Sequence, residues 1–81
     1  MNDPEILQHI GKLVDEEHAL YRQGEDQGPL GAAERERLHQ LKIALDQCWD
    51  LLDQRRGLRD AGRNPDDARL RDPATVERYQ Q

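Results

Sequence analysis

The chain has no phenylalanine, one tryptophan, two tyrosines and a single cysteine in 81 residues. So few aromatics limit it to a small core, and so short a chain has room for one domain. One cysteine excludes an intramolecular disulfide, and the pattern is not that of a secreted, disulfide-stapled fold. No apolar run approaches a signal-peptide core or the roughly 18–20 residues of a membrane span. The expectation is a soluble cytoplasmic protein. A dense basic face, which nucleic-acid binding would require, is also missing, so nucleic acid and membrane are not expected as partners.

What is present is charge. Charged residues make up 36% of the chain, against roughly 25% in an average globular protein. The net charge is −5 and it is unevenly spread. Residues 1–28 carry seven acids and two bases, and residues 55–81 carry seven arginines and five acids. With 35% apolar residues, the core is small enough that oligomerisation would help stability.

Asn2-Asp3-Pro4-Glu5 reads as a helix start, with Asp3 as the cap or Asn2 and Glu5 as a capping box. Ile6, Ile10, Leu13, Glu17 and Leu20 follow at four-three spacing, flanked by Leu7, Val14 and Tyr21. This predicts a helix over about 4–23. The glycine- and proline-bearing segment 24–33 predicts a reversing loop. A second helix is predicted over about 33–61, stopped by Gly62. Its seam is Leu38, Leu41, Leu45, Cys48, Leu52, Arg55 and Arg59. Trp49 lies on one flank, with Ala44, Leu51 and Leu58 on the other. Together these positions span about half the circumference, more than one partner helix buries. Residues 1–61 thus form an all-α, antiparallel two-helix hairpin. Residues 62–81 form an irregular tail that packs on the hairpin or on a neighbouring chain. Asn64-Pro65 and Asp72-Pro73 each suit a helical start, and Val76 with Tyr79 would face one way on a terminal helical turn. A homodimeric four-helix assembly would cover the wide face of the second helix.

The segments L-V-D-E-E-H at 13–18, L-D-Q-C-W-D-L-L-D-Q-R-R at 45–56 and G-R-N-P-D-D-A-R-L-R at 62–71 resemble those of a family of short actinobacterial proteins known only as a domain of unknown function. The resemblance spans nearly the whole chain and is most specific at the Cys-Trp segment. It implies a small, cytosolic, bacterial helical protein, and it carries no activity and no functional residues with it.

Several side chains have a chemical reading and a structural one. Glu17 sits within the first helix's apolar stripe, where an unpaired carboxylate is costly. It is the buried polar candidate, with Lys42, the Trp49 indole or a base from a second chain as its partner. Asp15 and His18, like Glu36 and His39, have the i, i+3 spacing of di-iron bundles, but Asp15, Glu36 and His39 project outward and His18 lies at the stripe's edge. Cys48 has Ala44, Leu45, Leu51 and Leu52 one turn away, which suits a neutral seam residue rather than a nucleophile. Asp46, Asp50 and Asp53 should face water.

Arg55 and Arg59 continue the leucine seam where the first helix runs out. Their stems can cover its end while their heads reach Asp3, Glu5 or a tail acid. In the alternative, they join Arg56, Arg63, Arg69 and Arg71 in a cluster facing an acidic protein or RNA, although 50–78 lacks the aromatics expected for RNA. The interaction candidates are therefore Trp49, Leu51, Leu58, Arg55, Arg59, Arg69 and Arg71. No nucleophile–base pair, phosphate loop or inward metal cluster is present. The expected function is a non-catalytic interaction or scaffold protein without a cofactor. The alternatives are an accessory module docking an arginine-rich tail on a larger assembly, such as a ribosome or polymerase, and a metal- or small-molecule-binding bundle.

Overall fold

Asn2 opens the first helix by exchanging two hydrogen bonds with Glu5. The Glu5 amide donates to Asn2 Oδ1 and the Asn2 amide donates to Glu5 Oε1, both at 2.9 Å. Asn2 is thus the cap, and Asp3 is left free for another task. In the computed structural model, which describes residues 1–78, helix α1 spans Asp3–Gln27 and helix α2 spans Ala32–Asp60. A 3₁₀ turn at Pro65–Asp67 and a short helix α3 at Pro73–Arg78 complete the chain. The described residues are all-α, with no strand. No helix among them is long and apolar enough to cross a membrane. Tyr79, expected to pair with Val76 on one face, lies outside the described residues.

Helix α1 runs four residues beyond its predicted end, so the loop is 28–31 rather than 24–33. A mid-helix glycine costs only about 1 kcal/mol, and Gly24 is absorbed in the last turns with Leu30 folded over it. The chain breaks instead at Gly28, whose φ of 89° lies where other residues rarely go. Helix α2 stops as predicted, at Gly62. Gly62 has φ 72° and donates to the Arg59 carbonyl, while Arg63 donates to the Leu58 carbonyl at 2.8 Å. These two bonds form a Schellman motif, which satisfies carbonyls at the helix end.

The hairpin core is Ile6, Ile10 and Leu13 of α1 against Leu41 and Cys48 of α2. Val14, Leu20, Leu45 and Leu52 pack around it half-buried. Leu41, Cys48 and Arg55 recur every seven residues, and all three are buried. A heptad interval returns a helix to nearly the same face, so the seam ends in a charge.

The tail turns back along its own α2, antiparallel to it. Gln54 holds it twice: its Nε2 donates to the Arg69 carbonyl at 2.7 Å, and its Oε1 accepts from the Arg69 amide at 3.2 Å. Gln47 Nε2 donates to the Arg71 carbonyl at 2.9 Å. Asp72 caps α3 by accepting from the Thr75 amide at 2.7 Å. Val76 of α3 is then fully buried. The tail thus covers the Leu51–Ala44 flank of α2. It also covers Asp50, whose side chain is 11% exposed and pairs with Arg71 at 3.3 Å. The expectation that Asp50 faces water is therefore corrected.

Replacing Gln54 with alanine removes two hydrogen bonds from the tail backbone, a loss of about 1–3 kcal/mol. The expected result is at least roughly tenfold faster hydrogen exchange at the Arg69 amide, with Ile10 and Leu13 amides unchanged. The measurement is residue-resolved exchange by NMR.

Candidate functional site

Arg55 occupies the end of the seam because α1 has no further apolar residue to offer there. Its Nε donates to Asp3 Oδ1, and its Nη1 donates to Asp66 Oδ1 at 2.9 Å and to the Pro65 carbonyl at 3.3 Å. Arg59 adds Nη2 and Nη1 contacts to Asp3 at 2.9 and 3.2 Å. One guanidinium thus joins the start of α1, the end of α2 and the 3₁₀ turn. A buried arginine is tolerable only when its donors are used in this way. The heads reach Asp3 and a tail acid, while Glu5 stays in the capping box. Hydrogen bonds from Arg55 and then Arg59 hold the Asp3 carboxyl below the usual carboxylate range, and Asp3 and Asp66 raise the Arg55 guanidinium. Arg55 was also an interaction candidate. It is 7% exposed and committed within the chain.

The interhelical ion pair lies one residue from the expected one. Glu16 receives Nε and Nη2 of Arg37 in a bidentate pair, and Arg37 lowers its carboxyl. Glu17 is half-buried rather than buried, and it forms no ion pair with Lys42. The expected register was too coarse to distinguish neighbouring carboxylates, and the long reach of Arg37 selects Glu16.

The remaining candidates fall on two flanks. Leu51 and Leu58 are half-buried on the tail side. Leu51 there lines an apolar cleft of about 140 Å³ with Ile6, His9, Cys48 and Leu70. Arg69 spends Nη1 on the Asp66 and Ala68 carbonyls. Trp49 lies about 140° around α2 from Gln54 and is 51% exposed. It lines a shallow cavity of about 220 Å³ with Leu52, Asp3, Asp53, Arg56 and Arg59. The same side of α1 presents Leu7 and Tyr21, 51% and 53% exposed. The hairpin is therefore closed by the tail on one side and open on the other.

Among the described residues no three histidine, cysteine, aspartate or glutamate side chains are grouped to hold a metal ion. His39 instead lies 3.8 Å from Glu77 of α3. Burial pushes the Cys48 thiol up, away from the thiolate that a nucleophile needs. Gln47, Asp50 and Gln54, the three side chains that hold the tail, escaped the sequence reading. Their spacing of three and four residues on one helix face was the available signal, but polar side chains on such a face read by default as solvated.

Two outcomes follow from these shifts. Asp3 and Glu16 have depressed carboxyls in the fold, so their contribution is full above the ordinary carboxylate range and is lost as pH falls below that range through their lowered values. Thermal melting from pH 7 to pH 3 should show a falling midpoint, and Asp3→Asn should flatten part of that fall. Cys48 should react with a thiol reagent at least about tenfold faster in denaturant than in the native chain, as followed by absorbance.

Comparison with known proteins bears on the family alone. A family model described as "Protein of unknown function (DUF2630)" matches residues 2–81. Uncharacterized protein Mb0922c of Mycobacterium bovis is 47% identical over 77 residues, covering 95% of this chain and 88% of its own. Uncharacterized protein Rv0898c of Mycobacterium tuberculosis matches to the same extent. No solved structure matches the chain. With a model spanning nearly every residue and relatives at this identity, the chain belongs to the DUF2630 family.

Proposed function

We propose that the protein is a non-catalytic helical interaction protein of the cytoplasm, working without a cofactor, that self-associates through the open flank of its hairpin. One observation carries the reading. The tail occupies one flank of α2, while Leu7, Tyr21 and Trp49 remain about half exposed on the other. Three of the five large apolar side chains exposed among the described residues lie on that side, a grouping that suits a contact surface, and tryptophan is enriched among the residues that anchor such contacts. The proposal narrows the wide apolar face of α2 to its Trp49 flank, because Leu51 already has cover. It also accounts for the charge-rich composition, since an 81-residue chain with so little apolar material gains core by pairing.

The alternative of an arginine-rich tail docking on a larger assembly has less to draw on. Arg55 and Arg59 are engaged at Asp3, and Arg69 and Arg71 make contacts within the chain.

Sedimentation equilibrium at micromolar concentration should return about twice the 9.4 kDa of one chain. Trp49→Asp should shift the distribution to the monomer while helical content by circular dichroism is retained. A wild-type chain that stays at 9.4 kDa and still melts cooperatively overturns the proposal.

A further inference from the structure

The tail does not seal its own flank completely. The other two exposed large apolar side chains, Met1 and Leu70 at 65% and 61%, frame a cleft between the start of α1, the middle of α2 and the tail. One compartment is the apolar cleft of about 140 Å³ beside Ile6 and Cys48. The second, of about 340 Å³, is lined by Arg55, Asp66, Ala68 and Arg69. Met1, Leu51 and Leu70 line both, so the two compartments adjoin.

The charges of the second compartment do not cancel. Arg55 and Asp66 answer each other at 2.9 Å, and Arg55 spends its other donors on Asp3 and the Pro65 carbonyl. Arg69 uses Nη1 alone, on two carbonyls. Its Nε and Nη2 have no partner among the described residues. These two atoms form the side-on fork with which Arg37 takes the Glu16 carboxylate elsewhere in the chain. In the apolar compartment the polar side chains are His9 at the exposed rim and Gln47, whose amide is spent on the Arg71 carbonyl. An apolar slot thus ends at one cation whose carboxylate-binding edge is unused.

We propose that this cleft binds a medium-chain monocarboxylate, with its alkyl chain among Ile6, Ala44, Cys48 and Leu51 and its head on the Nε–Nη2 edge of Arg69. A planar guanidinium fork matches a carboxylate in geometry and charge. A doubly charged phosphate fits less well, because the Asp66 carboxylate lines the same compartment. A cavity near 150 Å³ holds a six-carbon ring, so the apolar compartment suits a chain of about six to eight carbons. Such an occupant also gives Met1 and Leu70 an apolar surface to cover, and a methionine side chain adapts readily to one. The site lies on the side of α2 away from Trp49, and it is independent of the self-association proposed above.

The test is titration of octanoate and of octanol into the isotope-labelled full chain, followed by amide shifts in NMR. Octanoate should give saturable shifts at Cys48, Leu51 and Arg69, with half-saturation at roughly millimolar concentration or below. Arg69→Gln should weaken octanoate at least about tenfold and leave octanol unchanged, since the alcohol makes no use of the charge. Ala44→Leu fills the apolar compartment and should weaken both. Gln54 holds residue 69 by its main chain, so an unchanged melting temperature of Arg69→Gln is the folding control. Absence of saturation, octanoate binding that ignores either substitution, or shifts confined to the Trp49 flank overturns the proposal. Sedimentation of the unliganded chain reports separately on self-association.

Discussion

The structure depends on a buried arginine placed where a leucine would be expected. Arg55 continues the heptad of Leu41 and Cys48, yet it meets the end of α1, where backbone and carboxylate replace apolar side chains. A leucine there could bury area but could not join three chain segments. Arg55 does so by spending its donors on Asp3, Asp66 and the Pro65 carbonyl. The helix register, the entry of α1 and the return of the tail are thus set by one planar group, whose fixed fork geometry suits it to carboxylates. The capping box makes this possible, because Asn2 and Glu5 satisfy the helix end and release Asp3 for the arginines.

Helix α2 is the element on which α1, the 3₁₀ turn and α3 all pack. Its circumference is divided into three sectors. A leucine-rich sector faces α1, a glutamine-lined sector faces the tail, and a tryptophan sector faces outward. This division explains how a chain with so few large apolar residues builds three packed segments. Part of the tail is docked by backbone hydrogen bonding rather than by apolar area, with Val76 as the one fully buried anchor among its described residues.

Much of this was legible in the residues. Both long helices, the glycine stop of α2, the reach of Arg55 and Arg59 to Asp3 and the inert setting of Cys48 follow from spacing and from elementary electrostatics. The misses have physical causes. Gly24 looked like a terminator because glycine is a poor helix former, but four more residues of helix and the cover of Leu30 outweigh a penalty of about 1 kcal/mol. Glu17 attracted attention as the charge in the stripe, while the actual pair used Glu16, because a long arginine reaches across the edge of a seam. Asp50 was assigned to water on the rule that acidic faces are solvated. A periodic pattern says which face is polar, but it does not say whether a neighbouring segment will use that polarity. Pairing distant segments is the part of folding that local sequence encodes least, and the tail's path along α2 is such a pairing.

The grip of Gln54 on residue 69 involves only that residue's main-chain N–H and C=O. A side-chain amide presents a donor and an acceptor at a spacing that imitates a strand edge, so α2 offers the tail a small substitute for a β-ladder. Such a clasp reads the direction and extension of the segment it holds and is blind to the identity of the side chains there. The grip on residue 69 therefore survives a change of side chain there, at the cost of the two carbonyl contacts that the Arg69 guanidinium makes.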